Sequence, residues 1–216
     1  MGLDYNAILI AIEETLYMTF VSLVFAVIFG LFFGIILFVS KKDGLFENLF
    51  IYHTLNLFVN IFRAIPFIIL LYNLIPFTQA LMGSFLGARA AVPVLVFSSV
   101  PFFARLVDIA LIEVDKGTIE AAKSFGANKI QIIFKILIPE AKVAIISGIS
   151  VTAIALVGYT AMSGAIGSGG LGNLAYMYGL ARRNEAMLQV STILIVIIVF
   201  IIQAIGDVII KKIDKR

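Results

Sequence analysis

The 216-residue chain contains no cysteine, a single histidine and few charges, with 13% of its residues Asp, Glu, Lys or Arg. Without cysteine there are no disulfides, no thiolate-held metals and no thiol nucleophile. That absence says little about compartment, because membrane spans need no covalent staples. His53 has no second ligand and sits on a connecting segment, so neither a metal site nor a proton relay is expected and the residue reads as interfacial. A membrane hydrolase would need a nucleophile and a base on facing spans, and the candidates are scarce. A phosphate-cradling lysine loop is also missing, so the chain is not expected to hydrolyse ATP or to be an enzyme alone. No internal repeat or low-complexity linker interrupts it, which predicts one domain. The start lacks a basic region and the first apolar run is too long, so no cleavable signal peptide is expected.

What the chain has is apolar length. At 62% apolar residues and a mean hydropathy of +1.11, it cannot cover its exterior as a soluble domain would. An all-α integral membrane fold follows. About 20 apolar residues at about 1.5 Å each cross a core of about 30 Å. Five spans are predicted, at about 15–40, 58–77, 90–108, 143–162 and 186–208, with residues 48–62 leading into the second. An external segment 1–14, a cytoplasmic loop at about 110–139 and a cytoplasmic tail 211–216 complete the division.

Lysine and arginine orient these spans. Arg89, Arg182 and Arg183 fall on one side, and the other thirteen of the sixteen basic residues fall on the opposite side. The C-terminus is therefore expected in the cytoplasm, with Asp4, Glu13 and Glu14 outside. Arg63, just before Ala64-Ile65-Pro66-Phe67, reads as an anchor at the cytoplasmic headgroups, since a charge at the bilayer centre costs about 2.5–3.5 kcal/mol. Asn73 and Gln203 read as helix-packing groups, with substrate contact as the alternative.

Residues 120–139, EAAKSFGANKIQIIFKILIP, form an unusually polar stretch for this chain. Helical patterning from about Ile112 runs to Gly126, which can take the left-handed conformation that ends a helix. Asn128 then caps a second helix, Lys129 to Ile138, before Pro139 opens the fourth span. The product is a bent pair of short helices facing the cytosol. Ala121 and Ala122 carry almost no side chain, so a second protein surface can come close, with Glu120 and Lys123 beside them. An amphipathic helix lying on the membrane surface is the other reading of the same pattern.

This stretch resembles the EAA loop of ABC importer permeases, with Glu120, Ala121, Ala122, Gly126 and Pro139 in the motif's places; Ile138 stands where leucine is commoner. The resemblance extends through FRAIPFIILLYNLIPFT (62–78), VPFFARLVDIALIEVDKGTIEAAKSFGA (100–127) and GYTAMSGAIGSGGLGNLAYMYG (158–179). Over roughly 12–210 the chain is similar to the permeases of importers for D- and L-methionine. That resemblance implies the type I importer permease fold and a homodimer in the cytoplasmic inner membrane. It also implies two cytoplasmic ABC ATPase subunits that hold the ATP and Mg, and an external substrate-binding protein, often a lipoprotein. The ATPase-coupling residues it implies are Glu120, Ala121, Ala122, Lys123, Phe125, Gly126 and Pro139. The permease of an osmoprotectant importer, which also carries a GGLG loop, is the alternative. An ATP-independent secondary transporter would more typically show paired intramembrane acids or interrupted inverted repeats, and neither is found.

The run GSGGLG (167–172) mimics a nucleotide-binding fingerprint, but that fingerprint needs a preceding strand and a cytosolic position. Here it follows a span and faces outward. Gly164, Gly167, Gly169, Gly170 and Gly172 instead let the backbone turn sharply and change shape as a gate opens. The fourth span has small residues every few positions, which allows close helix packing. The pathway is therefore placed along it, with Tyr159, Met162 and Ser163 toward its outer end and Gly167, Gly169 and Gly170 in the gate. Met162 fits as a flexible apolar plug, with ordinary helix packing as the alternative.

Overall fold

Asp4 opens the first helix by accepting the Ala7 N–H at 3.1 Å, and α1 then runs uninterrupted over Tyr5–Ser40. The structure, a computed structural model, describes residues 4–214. Residues 1–3 of the expected external segment, and Lys215 and Arg216 of the expected tail, lie outside the described residues. At 36 residues, α1 is about 54 Å long and far exceeds a bilayer core. Glu13 and Glu14 lie within this helix, so residues 5–14 of the expected external segment are helical. Glutamate is a good helix former, and the cap sits a full two turns earlier.

Small residues bring α1 against the central span α5, Ala88–Ile112. Gly30 faces Phe103, and a Cβ on Gly34 would come within 2.6 Å of Val107 Cβ and 2.7 Å of the Ala104 carbonyl. Such approach is how apolar helices gain contact when lipid competes equally for greasy surface.

Between them the expected second span is broken. Asn48 caps α2, Leu49–Ala64, accepting the Ile51 N–H at 3.1 Å. The chain then bends by 104° into α3, Phe67–Asn73. Pro66 donates no hydrogen bond and pushes Ile65 out of the helical region, to φ −77 and ψ 122, so a continuous helix over 58–77 cannot form. α4, Ile75–Met82, follows and ends at Gly83 in the left-handed conformation.

The break fixes the depth of Arg63. The Phe62 ring lies 6.2 Å from that of Phe97, and Phe77 meets Phe97 edge-on at 5.3 Å. Phe97 stands about 13 Å along α5 from Ala88 and about 12 Å from Arg105. Arg63 therefore sits near the middle of the bundle's apolar thickness, not at the cytoplasmic headgroups. The expected anchor is corrected because α2 carries it well inward before the bend.

The end of the bundle where α1 and α5 finish is held by charge as well as packing. Arg105 pairs with the buried Asp108 at 2.9 Å, and the Lys41 ammonium lies 3.9 Å from the centre of the Phe38 ring. Burial lowers the Lys41 pKa, Asp108 opposes that shift, and Lys116 adds to it. Beyond α5 come the short helices α6, Lys116–Ser124, α7, Lys129–Ile132, and α8, Ile138–Glu140. The fourth and fifth spans are α9, Lys142–Gly164, and α11, Glu185–Ile213, with the short α10, Gly170–Leu174, between them. Four helices among the described residues are long and apolar enough to cross a membrane, or five spans if α2 and α3 count as one bent span.

Candidate functional site

Two regions collect the residues singled out by sequence. At one end of the bundle, Asp115 caps α6 by accepting the Thr118 N–H at 3.1 Å. The helix ends at Gly126, whose φ is +80. Gly126 N–H donates to the Lys123 carbonyl at 3.0 Å, and Ala127 N–H to the Ala122 carbonyl at 3.0 Å. This pair of bonds is a Schellman ending, which satisfies the Ala122 and Lys123 carbonyls at the corner. A reciprocal capping box restarts the chain: Gln131 N–H donates to Asn128 Oδ1 at 2.8 Å, and Asn128 N–H to Gln131 Oε1 at 3.0 Å.

The second arm does not stay a regular α-helix to Ile138. It widens into a π-helical turn over Ile133–Leu137, and Ile138 N–H donates to the Ile133 carbonyl. This wide turn lies immediately before Pro139, whose ring cannot be accommodated by an ordinary preceding turn. A further turn at Ala141 separates Pro139 from α9, so the fourth span begins at Lys142.

One face of this elbow is buried and the other bare. Ala122, Ile132 and Leu137 pack with Phe38 of α1 and with Phe103 and Val107 of α5. Glu120, Ala121, Lys123, Gly126 and Pro139 are exposed, and Phe125 is 92% exposed. Lys129 reaches back to within 4.9 Å of the Phe46 ring centre, so the loop after α1 braces the elbow.

At the opposite end, the loop after α9 is tied at several points. Ser168 Oγ donates to Ser163 Oγ at 2.7 Å, and Gly87 N–H donates to the Gly167 carbonyl at 3.0 Å. Gly167, Gly169 and Gly170 have φ of +91, +80 and +78. Gly170 N–H donates to Glu14 Oε2 at 2.6 Å, and Leu171 N–H to Thr15 Oγ1 at 2.8 Å. A Cβ on Gly170 would lie 2.8 Å from Thr15 Oγ1 and 2.9 Å from Met18 Cε. Glycine is thus required here both by conformation and by space.

Ser163, Gly167, Gly169 and Gly170 are brought together, whereas Tyr159 and Met162 part ways. Tyr159 stacks on Phe67 at 4.5 Å and 12°. Met162 is 51% exposed and shares a bare stripe of α9 with Val151 and Gly158. Sequence reasoning missed Glu14 and Thr15, which it left outside the site; a carboxylate followed by a hydroxyl inside an apolar run was the available signal.

Residues 26–216 match the family described as binding-protein-dependent transport system inner membrane component. The chain is 56% identical over 215 residues to the methionine import system permease protein MetP of Bacillus subtilis (strain 168), covering 100% of this chain and 97% of that one. It is 40% identical over 215 residues to the probable D-methionine transport system permease protein MetI of Vibrio cholerae, covering 100% of this chain and 96% of that one. Among solved structures, it matches a chain of the MetNI methionine ABC transporter in inward-facing conformations with a TM-score of 0.95, 41% identity and 98% coverage of each chain.

Proposed function

Because this chain belongs to the family of binding-protein-dependent transport system inner membrane components, a multi-pass permease family, we propose that it is the translocating subunit of an ATP-driven importer of D- and L-methionine. It works as a homodimer, with an ABC ATPase against each elbow and an external binding protein delivering substrate. ATP and Mg are held by the ATPase, and this chain supplies the path. Its C-terminus and elbow face the cytoplasm, in keeping with the uneven placement of lysine and arginine.

The observation that carries this reading is the elbow's two-sidedness. Ala122 seats α6 on the spans, while Ala121, Glu120, Lys123 and the Phe125 ring stand free on the other side. An aromatic knob beside an alanine and two opposite charges suits insertion into a pocket of a second protein. Movement of the docked ATPases is transmitted through Gly126 and Pro139 to α9, along which Tyr159, Met162 and Ser163 line or support the path. Gly167, Gly169 and Gly170 form the gate at its outer end.

Copurification with an ATPase subunit, followed by uptake of labelled methionine in reconstituted vesicles, tests the proposal. ATP-dependent accumulation of methionine is expected. ATP turnover stimulated by the binding protein without accumulation would retain the permease and remove the substrate.

A further inference from the structure

Arg63 is an exposed cation at the end of α2, level with Phe97 in the middle of α5. Among the described residues it pairs with no carboxylate. An unpaired arginine at such depth is costly, and a polar group there marks a pathway or a ligand by default. It also stands at a broken span, the kind of place where membrane transporters hold their cargo.

The chain supplies no counter-charge at this level. The carboxylates inside its long helices are Glu13 and Glu14 near the outer end of α1, Asp108 near the inner end of α5, and Glu185 and Asp207 at the outer and inner ends of α11. Glu14 is bound to Gly170, Asp108 to Arg105, and Asp207 accepts from Gln203 at 3.0 Å. Gly206, beside Asp207, abuts Ser150, and Gly148, two residues away, lies 3.4 Å from both Leu106 and Phe103. Every one of these acids therefore stands about 8 Å or more from the Phe97 level. A second copy related by a two-fold axis along the membrane normal repeats each acid at the same depth, so it brings none closer. The missing anion must arrive with the cargo.

We propose that Arg63 receives the carboxylate of the amino acid as it crosses mid-membrane. The planar guanidinium offers two parallel N–H groups to a carboxylate, a match that an ammonium only partly replaces. This rests on the import reading for the identity of the cargo. The bend at Ile65–Pro66 holds the cation at the end of a helix instead of within its wall.

The test uses the complex reconstituted with its ATPase and binding protein. Arg63→Gln is expected to lower the methionine moved per ATP hydrolysed about tenfold or more, and Arg63→Lys about threefold. A ratio equal to that of the wild type in Arg63→Gln overturns the proposal. Because Arg63→Gln could fail to assemble, a second variant leaves Arg63 in place. The chain has no cysteine, so Ala64→Cys provides a single thiol beside the guanidinium. Faster modification by a sulfonate-bearing methanethiosulfonate than by its trimethylammonium counterpart is expected; the reverse order, or no reaction with either, overturns the proposal. If the wild type moves no methionine while the anionic reagent is still preferred, the import reading fails and the anion site stands.

Discussion

Gly170 donates its N–H to the Glu14 carboxylate at 2.6 Å, across 156 residues of chain. With Leu171 N–H on the neighbouring Thr15 hydroxyl at 2.8 Å, the bond ties the loop after α9 to α1. The bond is charge-assisted and part-buried, so it orders the loop more than its count suggests.

Glu14→Ala is expected to destabilise the purified permease by about 1.5–3 kcal/mol, and Glu14→Gln, which keeps an acceptor oxygen, by less than half of that. Thermal unfolding of the detergent-solubilised protein measures both. Identical melting of Glu14→Ala and the wild type would remove the tie from the list of forces holding the loop.

At the elbow, Gly126→Ala forces an L-residue to φ +80, costing about 1–2 kcal/mol. The corner opens and less ATPase copurifies with the permease. Gly126→Asn is expected to recover most of the yield, because asparagine tolerates the left-handed region. Equal yields for all three chains would show that the corner's shape does not govern docking.

Tyr159 and Met162 should separate in two measurements. Tyr159→Ala strips the ring stacked on Phe67 and is expected to cost about 2–4 kcal/mol of stability. Met162, 51% exposed, is expected to cost about 0.5 kcal/mol or less as alanine while changing methionine uptake. Comparable losses of stability would place both side chains in packing alone.

Gly34→Val drives a branched side chain into Val107 and the Ala104 carbonyl, which a Cβ already meets at 2.6–2.7 Å. Destabilisation of about 1–3 kcal/mol is expected from overpacking, seen as a lower melting temperature. Unaltered melting would mean that α1 and α5 can separate freely.

The spans and the elbow were legible because their signals are local. Apolar runs gave the long helices, Gly126 and Asn128 marked the corner, and Asn128 with Gln131 closed a box within a single turn. Pro66 was also in plain view, yet a run of apolar residues on both sides of it read as one span. Its effect depended on the backbone angle it imposed at Ile65. Glu14 was less legible still: charge suggested water, whereas its partner lies on a loop at the far end of the sequence. Depth was the hardest quantity to read. Arg63 could be placed only once Phe62 and Phe97 were known to touch, a contact between separate helices that no pattern within either one encodes.

The inner face of the elbow shares a single apolar cluster with the ends of α1 and α5, through Ala122, Ile132 and Leu137 against Phe38, Phe103 and Val107. A force applied to the exposed face of the elbow would consequently act on α1 and α5 together, not on a flap. These six side chains are the joint, and slack at any one of them would let the elbow shift without the spans it is seated on.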